Sequence, residues 1–253
     1  LANMMICQLN AQTLSPQVVA SAGGYQSNAI GSLSFTIGET NTQTFTSANN
    51  MLTQGFQQPY KMTLHLKAYL QGYYSGGGQM RNVLYNQGVT SVAGNECDTI
   101  IIQLRQAVSP YAVVIERKEL LHTNGQVSFI GNVDLGLLYY VVIKHRNTVE
   151  TWSANPISMH EITNYDFTVG ANKAYGNNMA EVEPGVFACY SGDINADENI
   201  DNFDFGLWEI DAREFAYGDY VTDLNGDGNV DNFDFAIWET NAGNFIYSVH
   251  PMH

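Results

Sequence analysis

The sequence predicts a mainly β protein: an antiparallel β-sandwich that follows N-terminal β-hairpins and precedes a small α-helical module. Short runs of alternating apolar and polar residues, separated by Gly, Asn, Ser and Thr, fill most of the first two thirds of the chain. An internal repeat with a period of 30 residues occupies the C-terminal part, and each copy ends in a helical pattern. The two patterns predict a β-rich part and a separate duplicated module.

The strand predictions rest on turn residues and on the length of the apolar runs. In the N-terminal hairpin segment, residues 12–59, they are Leu33–Ile37 and Met51–Phe56. In the sandwich, residues 60–168, they are Met62–Leu66, Thr99–Leu104, Tyr111–Ile115, Gln126–Ile130, Leu137–Ile143 and Glu150–Ala154. Such short strands between turns are typical of an antiparallel sandwich. We expect no long helix before Gly192, and a connector at residues 169–191 that lies along the sandwich surface.

Residues 1–11 are interpreted as the remnant of a secretory signal peptide, with a short apolar run and a small residue, Ala11, at its end. A buried first strand is the alternative. Export places the protein outside the cell or on its surface, where Cys97 and Cys189 could pair or stay as two buried thiols. Since no other run approaches the ~20 apolar residues that cross a bilayer, we predict no membrane span.

The negative charge is concentrated in the C-terminal part. Between Gly192 and Tyr247 there are 14 Asp and Glu residues and one basic residue, Arg213, so this stretch carries −13 of the total charge of −15. Nucleic-acid binding is excluded because phosphate contacts need clustered Lys and Arg. Phe, Trp, Leu and Ile are interleaved with the acids, which favours a folded cation site over a solvated acidic tail.

Each repeat contains the pattern D-x-N-x-D-x-N-x-D-x-x-D, whose spacing matches the oxygen ligands of a 12-residue calcium loop. The predicted ligands of the first loop are Asp193, Asn195, Asp197, Asn199 (through its carbonyl), Asp201 and Asp204. Those of the second loop are Asp223, Asn225, Asp227, Asn229 (through its carbonyl), Asp231 and Asp234. We predict two Ca²⁺ ions, with binding coupled to folding; metal-free Asx turns are the alternative.

The tandem pattern at residues 192–247, with Asp at the twelfth loop position and one helix after each loop, resembles the type I dockerin repeat. The resemblance implies two calcium-loaded loop-helix units about a pseudo-twofold axis that dock to a cohesin domain. Two features depart from the family. Glu198 replaces the usual Gly at the sixth position of the first loop, which predicts a strained or bent loop and a weaker site. Asn-Phe pairs stand at 202–203 and 232–233, where the family often has small hydroxyl residues that meet the cohesin.

The helix after each loop has two apolar faces. In the first copy Ile200, Phe203, Leu207 and Ile210 share one face, and Phe205, Trp208 and Ala212 share the other. One face must form the core of the module. The sequence assigns partner binding to the tryptophan face, through Phe205, Trp208, Phe235 and Trp238, with either another protein or the chain's own β-domain as the partner.

The sequence predicts a non-enzymatic protein, because none of the common nucleophile, metalloprotease, phosphate-loop or dinucleotide motifs is present. The leading hypothesis is an extracellular calcium-binding structural or interaction protein. Its dockerin-like module would mediate calcium-dependent assembly on a scaffold or cell surface, with a cohesin-like protein or a member of its own surface assembly as the partner. The alternatives are a carbohydrate-binding module that stacks glycans on Tyr69, Tyr73, Tyr74 or Trp152, and a subunit of a surface filament built by its N-terminal hairpins.

A second, less specific resemblance covers most of the remaining chain. Stretches such as 21–24, 31–39, 52–59 and 145–156 are similar to sequences of uncharacterised secreted or surface proteins of bacteria. The resemblance implies an extracellular, β-rich setting and identifies no ligand.

Overall fold

The computed structural model describes residues 61–89 and 94–251 in full, and for the preceding part only four backbone strands. The chain divides into two units, residues 1–59 and 60–253. The first unit contains two antiparallel hairpins: β1 (Ala22–Asn28) pairs with β2 (Gly31–Ile37), and β3 (Thr44–Thr46) pairs with β4 (Met51–Thr53). The predicted signal peptide lies outside the described residues.

The second unit is mainly β, with several mostly antiparallel sheets and few helices. Its strands are β5 (Lys61–Lys67), β6 (Tyr74–Gly76), β7 (Gln79–Met80), β8 (Glu96–Gln106), β9 (Val113–His122), β10 (Gln126–Asn132), β11 (Leu138–His145), β12 (Thr148–Trp152), β13 (Ile157–Ser158), β14 (Ile162–Asp166), β15 (Ala180–Glu183) and β16 (Val186–Ala188). Its α-helices are α1 (Val83–Asn86), α2 (Asn202–Arg213) and α3 (Asn232–Gly243). The expectation of no long helix before Gly192 holds for the described residues.

Two sheets share the main core, as in a β-sandwich. One has the strand order β10-β5-β14, and the other has the order β12-β11-β8-β9, with β13 added to β11. Met62, Leu64 and Leu66 alternate along β5 and point inward, where they meet apolar residues of β8, β10 and β11. Full burial of each such side chain contributes about 1.5–3 kcal/mol. β14 runs parallel to β5, which departs from the predicted all-antiparallel arrangement.

A second, smaller apolar cluster covers the outer face of the larger sheet. Trp152 is fully buried there beside Tyr140 and Val142. The Arg105 guanidinium lies 4.9 Å from the Trp152 ring centre, and the His250 ring stacks on the same indole. Trp152 is therefore closed to a sugar ring, as are the buried Tyr69 and Tyr73. The carbohydrate alternative loses three of its four predicted stacking residues.

The two described cysteines, Cys97 and Cys189, are both buried and both free. Burial raises the pKa of the Cys97 thiol above its usual range and that of Cys189 to about 11. In the part of the chain that the structure describes, no helix has the length and apolar character to cross a bilayer.

The predicted connector at residues 169–191 contains two short 3-10 turns, Ala171–Lys173 and Tyr175–Asn177, followed by the hairpin β15-β16. The segment is tied to the sheets, since Ala154 N–H donates to the Lys173 carbonyl and Cys189 N–H donates to the Tyr69 carbonyl. The boundaries proposed for the sandwich and for the C-terminal module, residues 192–248, stay a prediction.

Candidate functional site

A helix begins at the end of each acidic loop. The Asp201 side chain accepts a hydrogen bond from Phe203 N–H (2.8 Å), and the Asp204 carboxylate accepts one from Asp201 N–H (2.8 Å). Asp231 and Asp234 repeat this capping box at the start of α3. Acidic side chains at a helix N-terminus are stabilised by its unpaired N–H groups and by the helix dipole. The last predicted ligands of each loop therefore also fix where the helix begins.

The first and last carboxylates of each loop hold the loop backbone. In the first loop Asp193 accepts hydrogen bonds from the N–H groups of Asp197 and Glu198, both at 3.1 Å. Asp204 accepts from the N–H groups of Ile194 (2.7 Å) and Asn195 (3.0 Å). The second loop has the equivalent arrangement around Asp223 and Asp234. The backbone thus curls around these carboxylates.

Four of the predicted ligands are buried carboxylates: Asp193, Asp204, Asp223 and Asp234, each exposed by 2% or less. Burial raises the pKa of Asp193 to about 7, and the nearby charge of Asp204 adds to the effect. Burial likewise raises the pKa of Asp234 to about 7. Within the described residues none of the four forms an ion pair with Lys, Arg or His. A buried carboxylate without a compensating cation is costly, so each loop is suited to an added positive charge.

The donor set of each loop fits a hard cation. Every predicted ligand atom is an oxygen from Asp, Asn or a backbone carbonyl, as Ca²⁺ prefers. Ten of the twelve predicted residues precede the helices, and Asp204 and Asp234 lie in the first turns of α2 and α3. No group of three or more His, Cys, Asp or Glu side chains in the described part of the chain is already gathered as a metal cluster. The carboxylates bond to loop N–H groups instead, and the assignment of the twelve residues stays a prediction.

The two copies pair with each other through their ends. Gly218 N–H donates to the Gly228 carbonyl (2.8 Å) and Val230 N–H to the Ala216 carbonyl, so the chain after α2 pairs with the second loop. The chain after α3 pairs with the first loop in the same way, since Ser248 N–H donates to the Glu198 carbonyl at 2.7 Å. The isolated bridges Tyr217–Asn229 and Asn199–Tyr247 are the equivalent contacts of the two copies.

The aromatic residues predicted to bind a partner instead pack against one another between α2 and α3. The Phe205 and Trp238 ring centres lie 5.2 Å apart, and those of Trp208 and Phe235 lie 5.1 Å apart. The Phe205 and Phe235 rings meet edge to face. Each helix contributes one aromatic stripe to this contact, in which the rings meet at the offset and edge-to-face distances that aromatic pairs favour. All four side chains are partly exposed, and their assignment to partner binding stays a prediction.

The opposite face of α2 is the one left open. Phe203 is 74% exposed, and Leu207 and Ile210 beside it are also exposed. The matching face of α3 is different, because Ile237 approaches Gly72 of the β-domain and Asn241 Nδ2 donates to the Gln71 side chain (2.7 Å) and the Ser191 carbonyl (2.6 Å). The duplicated helices thus use equivalent faces in different ways: α3 docks on the β-domain and α2 faces outward.

Sequence reasoning missed the polar cluster that joins the module to the sheets. Asn147 is fully buried, and its Nδ2 donates to the Val221 carbonyl (3.2 Å) and to Tyr73 Oη (3.2 Å). Arg146 bridges the buried Asp98 and the module's Asp219. Burial alone would raise the pKa of Asp98, but the hydrogen bond from His145 and the charges of His145 and Arg146 lower it below its ordinary value. Only the His-Arg-Asn run at 145–147 signals this cluster in the sequence.

A polar cleft of about 750 Å³ opens on the outer face of the smaller sheet. His65 lies directly between Ser128 and Asn164 on neighbouring strands, and Glu119 and His122 of β9 line one side. His122 Nδ1 is buried and has no hydrogen-bond partner among the described residues. The cleft is lined by both hydrogen-bond donors and hydrogen-bond acceptors, and it has no large apolar surface.

No protein-family model matches the chain, and no curated protein matches it. Two solved structures similar to the chain are a C-terminal and an N-terminal interface mutant of a type II cohesin–X–dockerin complex from Acetivibrio cellulolyticus. The first is 15% identical with a TM-score of 0.43, and the second is 13% identical with a TM-score of 0.42. Each match covers 76% of this chain and 99% of the other.

Proposed function

We propose that the protein is an extracellular, non-enzymatic interaction protein whose C-terminal module takes two Ca²⁺ ions and presents a helix face to a protein partner. The observation that carries this proposal is the pair of buried carboxylates in each loop, which no cationic side chain among the described residues balances. Because the same pair of buried carboxylates occurs in both near-identical loops, it is a repeated feature of the module and not a single buried acid. Ca²⁺ supplies the missing positive charge when it is bound.

Each loop's own residues prepare this binding. Asp204 and Asp234 hold the start of the loop through its N–H groups while they cap the helix, so the loop and the helix share one anchor. Asn195 and Asp197 remain partly or fully exposed on the outer side, where an ion can enter. An ion that engages both ends of the loop would fix the helices as well, which couples metal binding to the shape of the module.

The partner surface that we propose is the open face of α2, formed by Phe203, Leu207 and Ile210, together with Phe233. Phe203 and Phe233 are equivalent residues of the two copies, exposed by 74% and 71%. Contiguous exposed apolar side chains in a water-soluble domain commonly mark an interaction site. The later part of the equivalent face of α3, at Ile237, already lies against the β-domain, and this supports a protein surface as the occupant of the α2 face. A cohesin-like domain, or another molecule of the same surface assembly, fits this description.

Calorimetric titration of the full chain with Ca²⁺ tests the metal part. We expect two bound ions, with one lost in Asp193→Ala and the other in Asp223→Ala, and a melting temperature that rises with the Ca²⁺ concentration. Absence of binding heat together with an unchanged melting temperature in Ca²⁺ and in chelator would refute the proposal.

Surface plasmon resonance against purified cohesin domains tests the partner part. We expect binding that needs Ca²⁺ and that falls at least tenfold in the double variant Phe203→Ser, Phe233→Ser, since a buried aromatic anchor contributes about 2 kcal/mol or more to an interface. The variant Phe215→Ser removes an exposed phenylalanine outside this face and serves as the control.

The polar cleft on the smaller sheet favours a second candidate, glycan binding. Its row of His65, Ser128 and Asn164 supplies the mixed donors and acceptors that sugar hydroxyls need. A glycan array probed with the full chain and with Asn164→Ala tests it: binding that survives this substitution, or no binding at all, counts against the cleft. The filament alternative, which depends on residues 12–59, stays a prediction.

A further inference from the structure

The two loops share their ligand pattern but have different neighbours. The second loop lies against α1 and the residues that flank it. Arg81 Nη1 donates to the carbonyl (3.0 Å) and the side-chain oxygen (2.7 Å) of Asn225, and Asn86 Nδ2 donates to the Gly226 carbonyl (3.0 Å). Gln87, which is 5% exposed, donates from Nε2 to Asp223 Oδ2 at 2.9 Å. Three side chains of the β-domain thus bond to three residues of one loop, Asp223, Asn225 and Gly226.

The glycines of the second loop are required by this close approach. A Cβ at Gly226 would lie 2.4 Å from Val83 Cγ2, and a Cβ at Gly228 would lie 2.8 Å from the Asn86 carbonyl oxygen. The equivalent positions of the first loop are Ala196 and Glu198, which adopt the same left-handed conformation with φ of 59° and 75°. Conformation alone therefore tolerates a side chain at these positions, and the second loop has glycine because the β-domain leaves no room.

The first carboxylate of each loop is held to a different degree. Asp223 accepts four hydrogen bonds, from the N–H groups of Gly226 (2.8 Å), Asp227 (3.2 Å) and Gly228 (2.8 Å) and from Gln87. Asp193 accepts two from the described residues, and neither comes from the β-domain. A carboxylate fixed by more donors loses less freedom when it binds a ligand, so Asp223 is the better prepared of the two.

We propose that residues 81–87 are part of the second calcium site, with Gln87 as the positioning residue of Asp223, and that Ca²⁺ in this loop locks the loop onto the β-domain. The inference rests on the proposed calcium function. Because coupling is reciprocal, the contact with residues 81–87 raises the affinity of the second loop, and the ion strengthens the contact. The second loop accordingly binds Ca²⁺ more tightly than the first.

Arg81 acts in the opposite direction. Its guanidinium lies 2.7 Å from the Asn225 side-chain oxygen and 3.8 Å from Asp227 Oδ2, so it repels an incoming cation, but its side chain is 40% exposed and is screened by water. Exposed pairs of this kind contribute little. The buried bond from Gln87 to a charged oxygen has the stronger effect. The net effect of residues 81–87 is therefore to raise the Ca²⁺ affinity of the second loop.

The test compares Gln87→Met with Gln71→Met in the full chain. Both remove an amide of similar length from the same interface, but Gln71 bonds to Asn241 and Ser191 and does not touch a loop. In calorimetric Ca²⁺ titrations we expect Gln87→Met to weaken the tighter site about tenfold, since hydrogen bonds to charged groups are among the strong ones. Gln71→Met leaves both sites within about twofold. We expect Gln87→Met to weaken Ca²⁺ binding to the same extent when it is combined with Asp193→Ala, in which only the second loop binds Ca²⁺.

Amide hydrogen exchange of residues 83–87 gives a second readout. Ca²⁺ slows this exchange in the wild type, and the slowing is lost in Gln87→Met; Asn86→Ala gives the same loss and replaces it if Gln87→Met does not fold. If the wild type binds no Ca²⁺, the proposed function itself fails. If it binds two ions but Gln87→Met behaves like Gln71→Met in both measurements, the calcium function stands and the positioning role is wrong.

Discussion

The two tryptophans of the module offer a matched test of its core. Trp238 Nε1 donates to the Asp201 carbonyl at 2.9 Å, which ties α3 to the first loop. Trp208 is its counterpart in the repeat, yet its Nε1 is buried without a hydrogen-bond partner among the described residues. Replacement of either residue by Phe removes a similar amount of apolar surface. The difference between the two variants therefore reports the Trp238 hydrogen bond together with the cost of the unpaired Trp208 nitrogen.

The magnitude follows from the two nitrogen atoms. Trp238→Phe loses a net hydrogen bond of about 0.5–1.5 kcal/mol, whereas Trp208→Phe removes a buried donor that already costs about 1–3 kcal/mol. We expect Trp238→Phe to be less stable than Trp208→Phe by about 2 kcal/mol. Urea unfolding of the full chain in millimolar Ca²⁺, followed by circular dichroism of the helical signal, measures this difference. Equal losses of unfolding free energy in the two variants would show that the Trp238 bond contributes nothing.

Three further predictions concern backbone space, pH and strain. Gly226→Ala should lower the unfolding free energy by about 2 kcal/mol or more because its Cβ meets Val83, while Ala196→Gly at the matching position changes it by less than about 1 kcal/mol in thermal unfolding. Because the pKa of Asp98 is lowered in the folded protein, its charged form stabilises the fold above the ordinary pKa of an Asp side chain. This stabilisation is lost as the pH falls below about 4. The unfolding free energy, measured over an acid titration, should therefore fall less steeply in Asp98→Asn than in the wild type. Phe215 is 88% exposed with φ of 53°, so Phe215→Gly should raise the melting temperature through about 1 kcal/mol of relieved strain, and a lowered melting temperature would contradict this reasoning.

The sequence predicted the repeated loops, the helices that follow them and most of the long strands. These features have local causes: alternation of apolar residues along β5 and β10, and acids that cap α2 and α3. The predicted strand at Tyr111–Ile115 was too short, because β9 continues to His122. Its later residues, from Glu116 to Glu119, are all charged, a pattern that is typical of a loop. They can form a strand because β9 lies at the edge of the sheet, where charged side chains remain in water.

The features that were missed depend on contacts between distant segments. The helix faces of the module are both apolar, so the sequence alone could not decide which one forms the core. The contact between Gly72 and the Leu224 carbonyl, where an added Cβ would lie 1.9 Å away, joins residues about 150 positions apart. The parallel pairing of β14 with β5 is equally non-local. Periodicity reports burial of a face but not the partner that buries it.

The broken symmetry of the duplicated module has a consequence for partner binding. Two equivalent helix faces could in principle present themselves to a partner in two orientations. In this chain the α3 face is closed from Ile237 onward, since Ile237 lies beside Gly72 and Asn241 is 2% exposed at the β-domain, and only Phe233 at its start is open. The α2 face, with Leu207 in the place of Ile237, remains accessible along its length. A partner that recognises this face should therefore bind once and in one orientation. The second loop can lie against the β-domain because it has Gly226 and Gly228, where the first loop has Ala196 and Glu198.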